Sequence, residues 1–272
     1  MADLLKNGFD SVPQLENDNT VHHLGLKKGD AKQGCILTSN LERIELIKDT
    51  FENPKKIGKR REYITYTGVV DGVEMSAMTI GNGCMPTEIA VEELRHIDCK
   101  KMIKVGSCFA IDPTIKPGTI FVPTGACRCE GASLEYVNIQ YPAVTDLYVF
   151  FAILEAAKKL NIDVVTGITR THDALFLESP YAHDGVKERI APWQKVGVSC
   201  VDNECATLLT VASILQMQAG CVYVVTDNLA TGESMDFEAD YQNKIMDTIK
   251  IAELALAKLI KGETIWNIKA QN

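Results

Sequence analysis

Residues 146–171 read DLYVFFAILEAAKKLNIDVVTGITRT. The first part, Asp146 to Leu160, repeats apolar residues at helical spacing. The second, Asp163 to Thr171, is rich in β-branched residues and reads as a strand. A helix followed at once by such a strand is one repeat of an α/β pattern, and working outward from it the pattern continues. Upstream lie the strand Gly118 to Thr124, the buried strand Met102 to Gly106, and a helix opened by Pro86, which a first helical turn tolerates. Before these come a short strand from Cys35 to Thr38 and a helix from Leu41 to Phe51. A β-hairpin follows from Arg61 to Ile80, turning at Asp71-Gly72. Downstream, Glu204 to Gln218 reads as a helix, Cys221 to Thr226 as a strand and Phe237 to Ile260 as a closing helix. Strand and helix alternate almost throughout. This predicts an α/β fold of three layers, α/β/α, with a central mixed sheet covered by helices on both faces.

Composition bounds the rest. The chain has 272 residues, 46% hydrophobic and 24% charged, with a formal net charge of −8. That balance disfavours a nucleic-acid surface and fits an enzyme of small molecules. Without a linker-like run, residues 21–262 read as one domain, flanked by a polar arm over 1–20 and a tail over 263–272. No apolar run approaches the roughly 20 residues of a membrane span, and the N-terminus lacks the pattern of a signal peptide. The nine cysteines are scattered through apolar segments and odd in number. Reduced thiols in a cytoplasm are therefore expected, without a disulfide framework. Cys127-x-Cys129 has the wrong spacing for a zinc knuckle, so no metal is expected.

Folds of this class bind ligands at the carboxyl ends of strands. The polar strand ends are Thr38-Ser39, Gly81-Asn82-Gly83, Gly106-Ser107, Thr171-His172-Asp173 and Thr226-Asp227. Neither GxGxxG nor GxxxxGK[ST] occurs, which argues against a dinucleotide or Walker-type site.

Particular strings go further. His22-His-Leu-Gly-Leu26, Arg61-Glu-Tyr63, Ala90-Val-Glu-Glu-Leu94, Glu130-Gly-Ala-Ser-Leu134, Tyr141-Pro-Ala-Val-Thr-Asp146 and Glu204-Cys-Ala-Thr-Leu-Leu209 occur in that order. In this the chain resembles the nucleoside phosphorylases of the uridine phosphorylase and purine nucleoside phosphorylase type, over about Val21 to Ile260, and the uridine branch most. The resemblance implies phosphate-dependent cleavage of a nucleoside to free base and (deoxy)ribose 1-phosphate, with phosphate as co-substrate and no further cofactor. It also implies a homodimer as the minimal active unit, since His23 and Arg61 would act across an interface, and allows a homohexamer.

What the resemblance implies for residues is uneven. Ser39 and Arg43 match the family's phosphate turn, whose glycine is lost here. Arg61 matches a second phosphate arginine. Lys104 and Ser107 match a third phosphate element, with lysine in place of arginine, a point charge in place of a fork. Glu204 matches the glutamate that accepts from the sugar hydroxyls; Asn203 takes the place of a methionine below the sugar, and His23 matches the histidine approaching the 5′-hydroxyl. Asp202, His172, Leu175 and Phe176 fall near the base. The uridine branch's Gln-x-Arg clamp is missing, with Ser179 and Tyr181 about where it belongs. Thr226-Asp227 instead looks like the purine enzymes' Ser/Thr-Asp, whose aspartate helps protonate the leaving purine. Base preference, uridine or purine nucleoside, therefore stays open. The altered phosphate turn also admits a hydrolytic nucleosidase, and the losses together a non-catalytic nucleoside-binding relative.

Overall fold

The computed structural model describes residues 19–175, 181 and 183–263. Most of the expected arm, the tail beyond residue 263, Phe176 and Ser179 lie outside the described residues. In chain order the elements are β1 (Gly34–Thr38), α1 (Leu41–Thr50), β2 (Glu52–Arg60), β3 (Tyr63–Val70), β4 (Val73–Thr79), α2 (Cys84–His96), β5 (Lys101–Ala110) and β6 (Ile120–Cys129). There follow α3 (Ala132–Tyr136), β7 (Ala143–Val144), α4 (Leu147–Leu160), β8 (Val164–His172), α5 (Val186–Lys195) and β9 (Val198–Asp202). The last are α6 (Cys205–Ile214), β10 (Gln218–Asn228), β11 (Glu233–Ser234) and α7 (Tyr241–Lys261).

The strands form one mixed sheet in the order β11-β10-β6-β8-β9-β5-β1-β4-β3-β2. β10 also pairs with β5 in parallel, so β5, β10, β6, β8 and β9 close on themselves. Closure comes at antiparallel contacts, β9 on β5 and β10 on β6. The expected three layers are present, with the middle layer curled at one end. One face is covered by α1, α4 and α7, whose Ile44, Ile47, Ile153, Ile249 and Leu256 share a core with Ile103 and Val222 of the sheet. The other is covered by α2 and α6 through Val91, Leu94, Leu208 and Val211.

Local chemistry explains the element ends. Asn40 caps α1 by accepting from the backbone N–H groups of Glu42 and Arg43, and Asp146 caps α4 through Tyr148 and Val149. α6 stops at Ile214, short of the expected Gln218, because Gln216 takes a left-handed backbone and Gln218 pairs with Lys101 at the start of β10. The closing helix begins at Tyr241 rather than Phe237. β2 has no counterpart in the expected elements. It is an exposed edge strand carrying Lys55, Lys56, Lys59 and Arg60, and it lacks an inward apolar alternation to betray it. Among the described residues no helix is long and apolar enough to cross a membrane.

One buried carboxyl makes the packing of α7 on α1 pH-dependent. Glu253, 5% exposed, takes a hydrogen bond from Thr50, and its burial pushes its pKa up to about 7. Between about pH 4.5 and 7 the unfolded chain releases this proton while the folded chain keeps it, so stability falls as pH rises, by about 3 kcal/mol in all. Glu253→Gln removes that term. Its melting temperature should exceed the parent's by several degrees at pH 8 and equal it near pH 4.5. A difference independent of pH would show that Glu253 does not titrate in this way.

Candidate active site

The candidate site is built where β1, β5, β8 and β9 end. Thr171 and Asp202 are register partners on β8 and β9, and Gly106 faces Tyr223 across β5 and β10. Asp202 is buried, 5% exposed. Its Oδ1 accepts from Thr171 Oγ1 at 2.7 Å and Thr169 Oγ1 at 3.3 Å. Its Oδ2 accepts from the backbone N–H of Glu204 at 3.0 Å, that of Cys205 at 2.7 Å and Tyr223 Oη at 3.1 Å. Burial, helped by Glu204 and opposed by Lys104 and these donors, raises its pKa. With both oxygens engaged, Asp202 fastens the start of α6 to the sheet. It lines the cavity, while both of its carboxylate oxygens accept from protein groups.

That fastening aims Glu204. Its Oε1 accepts from the Gly83 backbone N–H at 2.9 Å, and its Oε2 lies 3.0 Å from Lys104 Nζ. Gly83 offers that N–H from a left-handed backbone (φ 94°), which glycine adopts without strain. Lys104 is 1% exposed, and its ammonium lies 4.8 Å from the centroid of the Tyr223 ring. Gly106 leaves it room, since a Cβ there would stand 3.0 Å from Lys104 Nζ and from Tyr223. Burial alone would pull the lysine's pKa down, but Glu204, with Asp202 behind it, outweighs burial and leaves it above the ordinary value.

Around this pair lies a cavity of about 110 Å³, lined by Ser39, Asn82, Lys104, Ser107, Cys108, Phe109, His172, Leu175, Val201, Asp202, Asn203 and Glu204. Its polar lining includes Ser39, Lys104, Ser107 and Glu204, and its apolar lining Phe109, Leu175 and Val201. Asn203 Nδ2 donates to the His172 carbonyl at 2.6 Å, joining the two strand ends. His172 is 5% exposed, and its Nδ1 is buried with no hydrogen-bond partner. Burial, reinforced by Arg170 and Arg189 and opposed by Asp173, pulls its pKa down to about 4. A second, outer cavity shares Ser39 and Asn82 with the first and holds Arg61, on a left-handed backbone (φ 53°), with Lys59 and Glu62.

Three of the sequence-derived candidates stand elsewhere. Arg43 turns inward, 4% exposed, donating to Thr38 Oγ1 at 3.1 Å, the Val105 carbonyl at 3.3 Å and Tyr241 Oη at 2.7 Å. Its guanidinium ties α1 to β5 and α7 in place of facing the cavity. Asp227 also misses the cavity. A register shift on β10 between Val225 and Asp227 turns it to the β11 corner, where its Oδ1 accepts from Ser234 Oγ at 2.7 Å. His23 lines neither cavity. Its Nδ1 lies 2.7 Å from Oε1 of the buried Glu93, which also accepts the His23 and Leu24 backbone N–H groups. Tyr181 is exposed. The structure adds Asn82, Cys108, Phe109, Val201 and Tyr223. Gly81-Asn82-Gly83 was visible as a strand end, whereas Tyr223 sits within an apolar strand and carries no signal of its own.

Known proteins compare as follows. Residues 33–262 match the family described as the Phosphorylase superfamily. The chain is 35% identical to a uridine phosphorylase of Thermococcus kodakarensis, over 94% of this chain and 95% of that protein. It is 32% identical to a uridine phosphorylase of Treponema pallidum, over 89% and 95%. A guanosine phosphorylase of Halorubrum lacusprofundi is 27% identical, over 80% and 88%. With its sheet, strand-end cavity and nearly full-length likeness agreeing, the chain belongs to the Phosphorylase superfamily.

Proposed function

We propose that this protein is a nucleoside phosphorylase, a pentosyltransferase that cleaves a nucleoside with inorganic phosphate to give free base and (deoxy)ribose 1-phosphate. The observation that carries the reading is the Glu204 carboxylate, buried beside a small strand-end cavity and fixed from two sides by Gly83 and Lys104. The relatives' names support it, uridine phosphorylase and guanosine phosphorylase both denoting phosphorolysis of a nucleoside.

The chemistry then distributes itself along the cavity. Glu204 accepts from the sugar's hydroxyls and offsets the positive charge that grows on the ribose as the glycosidic bond breaks. Ser39, Ser107 and the ammonium of Lys104 hold phosphate below C1′, with Arg61 supplying charge from the outer cavity of its own or a neighbouring site. A phosphate oxygen forms the new bond to C1′ while the glycosidic electron pair leaves with the base. Phosphate is the sole co-substrate, and no cofactor takes part. Phe109, Leu175 and Val201 sheathe the base. In this reading His23 serves the site of a second copy and a homodimer is the minimal active unit, which its contact with Glu93 and its absence from the lining of both cavities support. All nine cysteines are free, which supports a reducing cytoplasm.

The test is release of free base from uridine, thymidine, inosine and adenosine, with and without phosphate. Phosphate-dependent release with sugar 1-phosphate as co-product is expected. Release indifferent to phosphate would make the protein a hydrolase, and binding without turnover would make it a non-catalytic relative.

A further inference from the structure

Two residues of β8 with no place in the sequence pattern of a base clamp stand on one face of the strand, and the second of them, His172, lines the cavity. Thr169 and Thr171 point to Asp202, so Arg170 and His172, alternating with them, share the opposite face of the strand. The Arg170 guanidinium stacks on Trp193 of α5, 4.9 Å from the ring centroid. Its Nε and Nη1, like His172 Nδ1, are buried with no hydrogen-bond partner. These are costly omissions in a folded interior and call for an electrostatic explanation.

We propose, building on the phosphorylase reading, that His172 meets the base as a neutral imidazole donating from Nε2, and that Arg170 is the positioning residue that keeps it so. Burial of Nδ1 without an acceptor decides the tautomer. A proton there would be an orphaned donor, which folded proteins avoid more strictly than an unused lone pair. The proton therefore sits on Nε2, the other ring nitrogen of a residue that lines the cavity. The groups facing the ring from neighbouring elements are Arg170 beside it on β8, Arg189 on α5 and Asp173 next in the chain. Asp202 and Glu204 line the same cavity from β9 and the start of α6. The cations and the burial prevail over Asp173, so the ring stays uncharged at neutral pH.

The consequence is chemical. As the C1′–N bond breaks, its electron pair passes to the base, and the Nε2 proton hydrogen-bonds to the growing negative charge without being transferred. A neutral imidazole used as an electrophile is an established device for such charge. It suits a base that offers an acceptor, a carbonyl oxygen or an unprotonated ring nitrogen. It dispenses with the carboxylic acid that Asp227, turned to Ser234, does not supply here.

Imidazole nitrogen NMR of the labelled protein tests this, with His172 assigned by its loss in His172→Gln among the five histidines. The expected signal is the Nε2–H tautomer, unchanged between about pH 5.5 and 8 and titrating near 4. Adding uracil or hypoxanthine should shift it. In Arg170→Met the titration midpoint should move up toward the ordinary histidine value, and Arg170→Lys should restore it. In kcat/KM, His172→Ala should cost about a hundredfold, the loss of one charge-stabilising donor. Arg170→Met should add an acid limb to the pH profile. A proton on Nδ1, a wild-type midpoint near 6.5, or no response to either base would overturn the proposal. If the signal answers to bases but no phosphorolysis occurs, the enzymatic reading fails and the imidazole assignment stands.

Discussion

Lys104→Met should lower the stability of the protein by about 3–5 kcal/mol, a fall in melting temperature on the order of 10 °C. The expectation follows from what the lysine leaves behind. Its ammonium is enclosed and lies 3.0 Å from a carboxylate that is itself only 6% exposed. Methionine fills the volume of the stem but strands Glu204 without its counter-charge, and a second carboxylate, Asp202, sits close behind. An uncompensated buried charge costs far more than the pair as a whole contributes. The double variant Lys104→Met/Glu204→Gln should therefore regain much of what the single variant loses, because neither member of the pair is left as an uncompensated buried charge. Denaturation of the four proteins of this cycle gives the coupling directly. Simple additivity of the two losses would mean that the pair is not an energetic unit. Phosphate use should suffer too, and should not return in the double variant, since the cation that lines the cavity with Ser39 and Ser107 is gone.

The same pair marks how far the sequence could be read. The layered fold was legible because helical periodicity at Leu147–Leu160 and β-branching at Val164–His172 are local signals. Ring closure through β5, β10, β6, β8 and β9 was not, because pairing between strands far apart in the chain leaves no local trace. At the site, Ser39 and Ser107, marked by their strand ends, and Lys104 and Glu204, marked by the family resemblance, line one cavity. Arg43 is the instructive difference. A phosphate arginine and a structural arginine look the same in sequence, and here Thr38, Val105 and Tyr241 supply three acceptors that hold it inward. Tyr241 is nearly two hundred residues away in the chain, so nothing around Arg43 announces it. Asp227 differs for a subtler reason. A shift of register by one position on β10 swings its side chain to the opposite side, and such a shift is invisible in a run as uniform as Val222-Tyr-Val-Val-Thr226.

Glu204→Gln should reduce kcat/KM by about 10²–10³-fold, as loss of a preorganised charge at the reacting centre does. Glutamine keeps the shape of the side chain, so the loss would not come from an empty space. Its amide, however, has one oxygen where the carboxylate had two. Gly83 N–H and Lys104 Nζ are both donors, so only one can be answered, and the amide nitrogen must confront the other. The side chain will rotate or the pair will open, and the sugar's hydroxyls lose a charged acceptor in either case. Which kinetic constant moves tells what the charge does. If Glu204 merely holds the sugar, KM for the nucleoside rises and kcat stays. If its charge offsets the cationic ribose of the transition state, kcat falls with little change in KM. The second outcome is expected, because a buried carboxylate held from two sides needs no reorganisation as the charge on the sugar grows. Kinetics within about threefold of the parent would remove Glu204 from the chemistry. The strand-end pair would then be a structural ion pair beside a cavity of some other purpose.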